Sequence, residues 1–158
     1  MQKYPVTKDG ASKIQNELEK LKSVDRPKVI TAIADARALG DLKENAEYHA
    51  AREEQAFIEA RIKDLEHKIS IMQVIDVQSV AQNGRVVFGT TVLLEDVDSG
   101  NEVAYKIVGV DESDIKLGLL AYNTPIARAL IGSEEGDVVD VEVPGGQKSY
   151  EILEVKYL

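Results

Sequence analysis

The sequence predicts an α+β protein, with an N-terminal antiparallel coiled-coil hairpin over residues 1–76 and a small antiparallel β-sheet domain with one helix over residues 77–158. Two observations predict this division. One Pro and two Gly occur between residues 8 and 76, whereas two Pro and nine Gly occur between residues 77 and 158. Apolar residues recur with helical spacing in the first part and form β-branched runs in the second.

The composition limits the classes of function. Of the 158 residues, 44% are hydrophobic and 30% are charged, which is typical of a globular protein. Aromatic residues make up 5% and Trp is absent, so the interior must be aliphatic and an aromatic-lined ligand pocket is hard to build. The absence of Cys excludes disulfides and thiolate metal sites. With no signal-peptide core and no apolar run of about 20 residues, we expect a cytoplasmic protein without membrane contact.

The net charge of −9 is unevenly distributed. Residues 1–76 contain 13 Lys and Arg against 14 Asp and Glu, whereas residues 77–158 contain 6 against 14. Affinity for nucleic acid depends on Lys and Arg that displace condensed counterions. We therefore expect no strong independent binding of nucleic acid, and any contact with it to be local or mediated by a protein partner.

The first arm of the hairpin begins with Thr7, whose hydroxyl is a good N-cap. Its apolar stripe has members four and three residues apart, namely Ile14, Leu18 and Leu21. Pro27 removes a backbone donor and is expected to kink or restart the helix. Beyond it, Ile30 and Ile33 are expected to continue the stripe toward Gly40.

The second arm has the clearest periodicity in the chain. Eight residues follow alternating spacings of three and four: Tyr48, Ala51, Gln55, Ile58, Ile62, Leu65, Ile69 and Met72. This is a heptad seam, with charged residues at the outer positions. The nearest partner is the first arm, so we expect an antiparallel hairpin that turns near residues 40–44. A monomer is expected, although a heptad seam can also pair two chains.

The second half predicts β-strands at residues 85–88, 90–94, 103–108, 138–143 and 150–157. Turn signals at residues 98–101 and 144–146 separate them. Thr124 is a predicted N-cap for a short helix that Gly132 ends. These elements predict a small antiparallel sheet covered by one helix.

The turn of the hairpin carries two carboxylates, Asp41 and Glu44. In one interpretation Asp41 caps the second helix and Glu44 completes a capping box. In the other, the two carboxylates supply oxygen ligands to a hard cation such as Mg²⁺. Because Mg²⁺ demands near-octahedral coordination, this pair would complete a site only if a partner supplied the remaining ligands.

Several motifs in both halves resemble the Gre family of bacterial transcript-cleavage factors. They are GDLKENAEYHAAREEQ (residues 40–55), NGRVVFG (83–89), YKIVG (105–109) with the following acidic pair, NTPIARALIG (123–132) and VPGG (143–146). The resemblance spans essentially the whole chain. It implies that the sheet domain is FKBP-like and docks on a coiled coil of the largest RNA polymerase subunit, at the rim of the secondary channel.

The resemblance also implies a role for the hairpin turn. Inside a backtracked polymerase, Asp41 and Glu44 would lie beside the polymerase's own aspartates, help to hold a second Mg²⁺ and orient a water for hydrolysis of the RNA. The chain itself would not be an enzyme, and it would bind no cofactor stably when isolated. It would stimulate the polymerase's intrinsic cleavage of nascent RNA.

Other residues match the family near the turn. Arg37 and Arg52 resemble a small basic patch that contacts the RNA 3′ end, although an ion pair with a nearby acid is the alternative for each. Asn45 and Tyr48 are expected to support the tip, and Tyr48 also belongs to the seam. The two histidines, His49 and His67, are expected to be surface residues.

The start of the short helix resembles the family's polymerase-docking surface, which consists of Asn123, Thr124, Pro125, Ile126 and Ala127. Asp111 and Glu112 are further candidates, as partners for basic groups of the polymerase. Acidic turn residues also occur without such a role.

Three other functions fit parts of the sequence. A regulator with the Gre fold could occupy the channel without promoting cleavage, but this chain retains both Asp41 and Glu44. A peptidyl-prolyl isomerase would need an aromatic-lined proline pocket, for which residues 77–158 offer few aromatic side chains. A chaperone of the prefoldin type is disfavoured because a single hairpin is fused to a sheet domain.

Overall fold

The computed structural model describes residues 3–158 and contains two compact units. The helical unit comprises Ala11–Met72, and the sheet unit comprises Lys3–Gly10 together with Gln73–Leu158. A helical hairpin followed by a sheet with one helix is the predicted fold class. The sequence did not predict that Lys3–Gly10 would belong to the sheet unit.

The helical unit is an antiparallel hairpin. Its first arm contains α1 (Lys8–Lys20), a π-helical turn (Leu21–Asp25) and α2 (Arg26–Arg37), and its second arm is α3 (Ala46–Ile71). The Oγ1 atom of Thr7 accepts a hydrogen bond of 3.0 Å from the backbone N–H of Gly10, which confirms the predicted N-cap.

The π-helical turn changes which side chains face the second arm. The backbone N–H of Arg26 donates to the carbonyl of Leu21, five residues earlier, and Pro27 lies in the first turn of α2. The helix therefore restarts at the proline, as predicted. Because a π turn accommodates one extra residue, the seam shifts by one position. Val29 is 2% exposed and Ile30 is 51% exposed, so the prediction that Ile30 continues the stripe is wrong.

The predicted seam of α3 is confirmed. All eight of its members are buried or half-buried, and Leu65 and Ile62 are the most deeply buried. The seam packs against the first arm of the same chain. Full burial of one aliphatic side chain contributes about 1.5–3 kcal/mol, so this seam is the main source of the hairpin's stability.

Three ion pairs join the two arms at their exposed flanks. They are Lys22 with Glu66 (3.1 Å), Arg26 with Glu59 (2.9 Å) and Arg61 with Glu17 (2.6 Å). The two guanidinium groups bind their carboxylates through two nitrogens each. The hydrogen bonds from Arg26 hold the pKa of Glu59 below its usual value. Exposed pairs add little free energy, but this bidentate geometry favours one alignment of the arms.

The sheet unit contains two sheets. A two-stranded sheet pairs β1 (Tyr4–Thr7) with β2 (Met72–Ile75). The main sheet has five strands in the order β5-β4-β3-β7-β6, whose bounds are β3 (Thr91–Asp96), β4 (Glu102–Val108), β5 (Leu119–Ala121), β6 (Val138–Val143) and β7 (Gly146–Lys156). Two short 3₁₀ turns (Val110–Glu112 and Ile115–Leu117) precede β5. The sheet covers its core with α4 (Pro125–Leu130).

Two predictions for the sheet unit need correction. The main sheet is mixed, because the edge strand β5 pairs with β4 in parallel. Residues 85–88 form no strand, and only a single bridge joins Arg85 to Glu134. Val86 in that segment is completely buried in the core, so its β-branched run reflects burial and not strand pairing. The buried core is aliphatic apart from Tyr150, which agrees with the predicted aliphatic interior in all but this one side chain.

Glu112 attaches the N-terminal strand to the main sheet. Its Oε2 atom accepts hydrogen bonds from the backbone N–H groups of Thr7 (3.1 Å) and Gly109 (2.8 Å), and its Oε1 atom accepts one from the Thr7 hydroxyl. A Cβ atom at Gly10 or Gly109 would collide with the Glu112 carboxylate. These two glycines therefore leave the space that the carboxylate occupies.

We predict that Glu112→Ala lowers the free energy of unfolding by about 1–3 kcal/mol, because it leaves the N–H groups of Thr7 and Gly109 without their acceptor. Urea denaturation of the full chain, followed by circular dichroism, measures this loss. Glu142→Ala is the matched control, since Glu142 is exposed on the edge strand β6. Equal stability of the two variants would contradict the role of Glu112.

Candidate functional site

The hairpin turns over residues 38–45, between α2 and α3. The backbone N–H of Leu39 donates to the carbonyl of Ala36 (3.1 Å), which closes the last turn of the first arm. Gly40 follows with a φ of 130°, a conformation that an L side chain rarely adopts. The chain reverses through this glycine, three residues after α2 ends, so the predicted position of the turn is confirmed.

Asn45 connects the two arms at the turn. Its Oδ1 atom accepts a hydrogen bond from the backbone N–H of Tyr48 (3.0 Å), and its Nδ2 group donates to the carbonyl of Ala36 (2.6 Å). Asn45 therefore caps α3 and also satisfies a carbonyl at the end of α2. The interpretation in which Asp41 caps the second helix and Glu44 completes a capping box is wrong, because α3 begins at Ala46.

Asp41 and Glu44 lie in the loop that precedes this cap. The Oδ1 atom of Asp41 accepts a hydrogen bond from the backbone N–H of Lys43 (3.0 Å), which is an Asx turn. Both carboxylates are exposed and line one open hollow of about 380 Å³, together with Leu39 and Glu47. The structure thus brings the two predicted acids to the same surface. Within residues 3–158, neither forms an ion pair.

The hollow offers ligands of the type that Mg²⁺ prefers, because carboxylate oxygens are hard donors. Across the described part of the chain, no three His, Asp or Glu residues are grouped so that they could hold a metal ion. Asp41 and Glu44 could therefore supply part of a coordination sphere, and another molecule would have to supply the rest.

Arg37 and Arg52 face each other across the arms near the turn. They line one hollow of about 250 Å³, whose apolar part is formed by Ile30, Ile33 and Ala34. The guanidinium of Arg37 lies 5.8 Å from the ring centroid of Tyr48. Among residues 3–158 neither arginine has a carboxylate partner, whereas Arg26 and Arg61 on the same arms are both paired. The ion-pair alternative for Arg37 and Arg52 is therefore not what the structure shows.

Tyr48 and His49 occupy the first turn of α3. Tyr48 is half-buried, and its ring meets the ring of His49 edge-on at 5.6 Å. The Nε2 atom of His49 lies 3.2 Å from the carbonyl oxygen of Lys43, inside the loop. His49 and His67 are exposed, as predicted. The contact of His49 with the loop was missed, because it becomes visible only once the cap at Asn45 fixes the start of the helix.

The predicted docking surface lies at the start of α4. Thr124 caps this helix, since its Oγ1 atom accepts from the backbone N–H of Ala127 (3.3 Å) and donates to the carbonyl of Ala121 (2.9 Å). Asn123 and Pro125 are exposed and Ile126 is half-buried. Ala127 is completely buried in the core, so it supports this surface from below and cannot itself contact a partner.

Asp111 and Glu112 form contacts within the sheet unit. Asp111 accepts a hydrogen bond from the hydroxyl of Tyr4, and Glu112 binds the start of α1 as described above. Both oxygens of the Glu112 carboxylate accept hydrogen bonds inside the sheet unit, so Glu112 has a structural role, and its pairing with basic groups of a partner stays a prediction. This long-range contact has no signal in the local sequence.

Comparison with known families identifies both halves. The family model described as "Transcription elongation factor, N-terminal" matches residues 4–74, and "Transcription elongation factor, GreA/GreB, C-term" matches residues 81–157. The chain belongs to the GreA/GreB family of transcription elongation factors, which confirms the resemblance found in the sequence. No helix within residues 3–158 is long and apolar enough to span a membrane.

Individual members of the family are similar over the full length. The chain is 63% identical to transcription elongation factor GreA of Thioalkalivibrio sulfidiphilus, with 100% of both chains covered. It is 56% identical to GreA of Legionella pneumophila strain Corby, with 100% of this chain and 99% of that protein covered. A solved GreA/GreB factor from Nitrosomonas europaea matches at 20% identity and a TM-score of 0.44, covering 99% of this chain and 100% of the other.

We predict that Asn45→Ala weakens the start of α3 by about 1 kcal/mol, because the cap on the Tyr48 N–H is lost. Hydrogen exchange at the Tyr48 amide should accelerate about fivefold. Asn45→Asp is the matched control, since a carboxylate keeps the acceptor for Tyr48 and removes only the donor to Ala36. Unchanged exchange at Tyr48 in Asn45→Ala would refute the cap.

Proposed function

We propose that this chain binds RNA polymerase, inserts its hairpin turn through the secondary channel and stimulates the polymerase's own Mg²⁺-dependent cleavage of backtracked RNA. This activity rescues arrested complexes in the cytoplasm. The observation that carries the proposal is the pair Asp41 and Glu44, two exposed carboxylates that line one hollow and have no cationic partner within residues 3–158. Membership of the GreA/GreB family supports the choice of partner.

The proposed mechanism divides the metal site between two proteins. Asp41 and Glu44 would supply carboxylate oxygens to Mg²⁺ in the active centre of the polymerase, which would supply its catalytic aspartates. Mg²⁺ held there would stabilise the charge that develops on the scissile phosphodiester. The same carboxylates would accept hydrogen bonds from the attacking water and orient it. Two exposed carboxylates hold Mg²⁺ weakly on their own, so the isolated chain should not cleave RNA.

Arg37 and Arg52 are suited to the RNA that emerges during backtracking. Because no carboxylate of residues 3–158 neutralises them, their guanidinium groups can form charge-assisted hydrogen bonds with phosphate oxygens. Glu53 and Glu54 follow Arg52 in sequence, and Arg37 and Arg52 are the two cations that line their hollow. We propose that the pair holds the short 3′ segment of backtracked RNA while the acids at the turn act on it.

The sheet unit provides the docking surface. Asn123 and Pro125 are exposed, and Ile126 is half-buried beside them. Thr124 and the buried Ala127 hold this corner in place. We propose that it binds the coiled coil of the largest polymerase subunit at the channel rim. The strongly acidic second half of the chain suits a protein surface better than a phosphate backbone.

We predict that Asp41→Ala and Glu44→Ala each reduce the stimulated cleavage rate at least about tenfold, because one oxygen ligand of the shared Mg²⁺ is lost. The assay adds each variant to a stalled, backtracked elongation complex with Mg²⁺ and measures shortened RNA that can be re-extended. Asp35→Ala is the matched control, since Asp35 is an exposed acid of α2 outside the hollow.

The same assay separates the alternatives. If the two variants bind the complex and stimulate cleavage as well as the unmutated chain does, the mechanism is wrong. If the unmutated chain binds and gives no cleavage, the chain is a channel-binding regulator. Cleavage of free RNA by the purified chain would show that it holds a complete metal site by itself.

We predict that Asn123→Ala raises the concentration of the chain needed for half-maximal cleavage by about five- to tenfold, the usual effect of losing one important interface side chain. The maximal rate should not change, because Asn123 lies in the sheet unit and Asp41 in the helical unit. Asn101→Ala, an exposed turn substitution, is the control. A lower maximal rate with an unchanged half-maximal concentration would contradict a docking role.

A further inference from the structure

The loop that carries the two acids has few contacts with the rest of the hairpin. The hydrogen bond of Asp41 to the backbone of Lys43 lies within the loop itself. In the described chain, residues 3–158, His49 is the one side chain from outside the loop that hydrogen-bonds to residues 41–44. Its Nε2 atom is 3.2 Å from the carbonyl oxygen of Lys43, which lies between Asp41 and Glu44 in sequence and directly precedes Glu44.

In the contact between His49 and the Lys43 carbonyl, the imidazole must be the donor. A carbonyl oxygen can only accept, so Nε2 of His49 must carry the proton and donate it. Neutral histidine with the proton on Nε2 does so, and so does the imidazolium. The bond therefore survives protonation of the ring. A side chain that formed this hydrogen bond in only one charge state would hold the loop over only part of the pH range.

Two contacts fix the histidine itself. The backbone N–H of His49 donates to the carbonyl of Asn45 (3.1 Å), so the residue sits on the capped first turn of α3. Its ring packs edge-on against Tyr48 with an interplanar angle of 68°, and Arg37 covers the Tyr48 ring. This series of contacts runs from α2 to the loop and restricts where the imidazole can point.

We propose that His49 is a positioning residue for Asp41 and Glu44. By holding the Lys43 carbonyl against α3, it restrains the loop between the two carboxylates and so reduces the range of positions that they sample. Preorganised ligands lose less entropy when they complete a metal site. The inference rests on the proposed function, in which these two acids act inside the polymerase.

The test replaces the imidazole with side chains that keep or remove its donor. Glutamine places an amide N–H near the position of Nε2, whereas leucine has similar bulk and no donor. Each variant of the full chain is titrated into backtracked complexes with saturating Mg²⁺. We expect His49→Leu to lower the maximal cleavage rate about fivefold, the range that one hydrogen bond accounts for, with the half-maximal concentration unchanged.

His49→Gln should restore most of that rate, and its pH profile should have the same shape as that of the unmutated chain, because an amide does not titrate. His67→Gln, on an exposed part of the same helix, is the control. A His49→Leu variant with full activity, or a His49→Gln variant as slow as His49→Leu, would overturn the inference. So would a pH profile that loses a limb in His49→Gln, since that would make the histidine a proton donor or acceptor.

The design separates this inference from the function on which it rests. If Asp41→Ala is inactive and His49→Leu is fully active, the proposed function stands and the role of His49 does not. If the unmutated chain fails to stimulate cleavage, the proposed function and the role of His49 are both wrong. Hydrogen exchange at the Tyr48 amide shows whether His49→Leu keeps α3 folded, so that a slow variant with a frayed helix would count against positioning.

Discussion

The packing of the α3 seam against the first arm is the interaction on which the hairpin depends. Leu65, Ile62 and Ile58 are buried at spacings of three and four, and each contributes more free energy than any exposed ion pair of the unit. This packing holds the two arms in register up to the last turn. The loop between them is exposed, including Leu39 and Leu42, and Asn45 connects it to both arms.

Near the turn, polar contacts and not apolar packing connect the two arms. Tyr48 is the seam residue nearest to the turn, and its ring lies under the guanidinium of Arg37. Asn45 then satisfies groups at the ends of both helices. Open helix ends carry unpaired backbone groups, and one amide side chain supplies both a donor and an acceptor for them. The carboxylates of Asp41 and Glu44 are thereby left free of any capping role.

The sequence predicted the elements with strong periodicity and missed those that depend on distant or irregular contacts. The α3 seam was confirmed residue by residue, because its spacing repeats over seven intervals. Ile30 was misplaced because a π turn shifts the register by one residue, and no residue pattern marks such a turn. One interpretation placed the cap at Asp41, because Asp and Asn are both good caps and only the exact end of the loop distinguishes them.

In the sheet unit, too, contacts between distant residues could not be predicted from the sequence. The contact between Thr7 and Glu112 spans 105 residues, so neither local pattern nor charge could indicate it. The run at residues 85–88 resembles a strand because Val86 is buried, and burial alone does not distinguish a strand from a loop segment in the core. For the candidate site, residue types were predictable. Their exposure, their partners and the contact of His49 required the fold.

The charged residues near the turn are grouped by sign on two neighbouring surfaces. Lys22, Arg26 and Arg61 each have a glutamate partner on the opposite arm. Arg37, Arg52, Asp41 and Glu44 have no such partner among residues 3–158, although both arms carry acids and bases along their length. Lys13, Lys28 and Lys63, elsewhere on the arms, are unpaired within the described residues as well, so the lack of an ion pair alone does not mark the turn. What distinguishes the turn is grouping: two acids line one hollow and two arginines line another, which suits this region to a partner that carries both cations and phosphates.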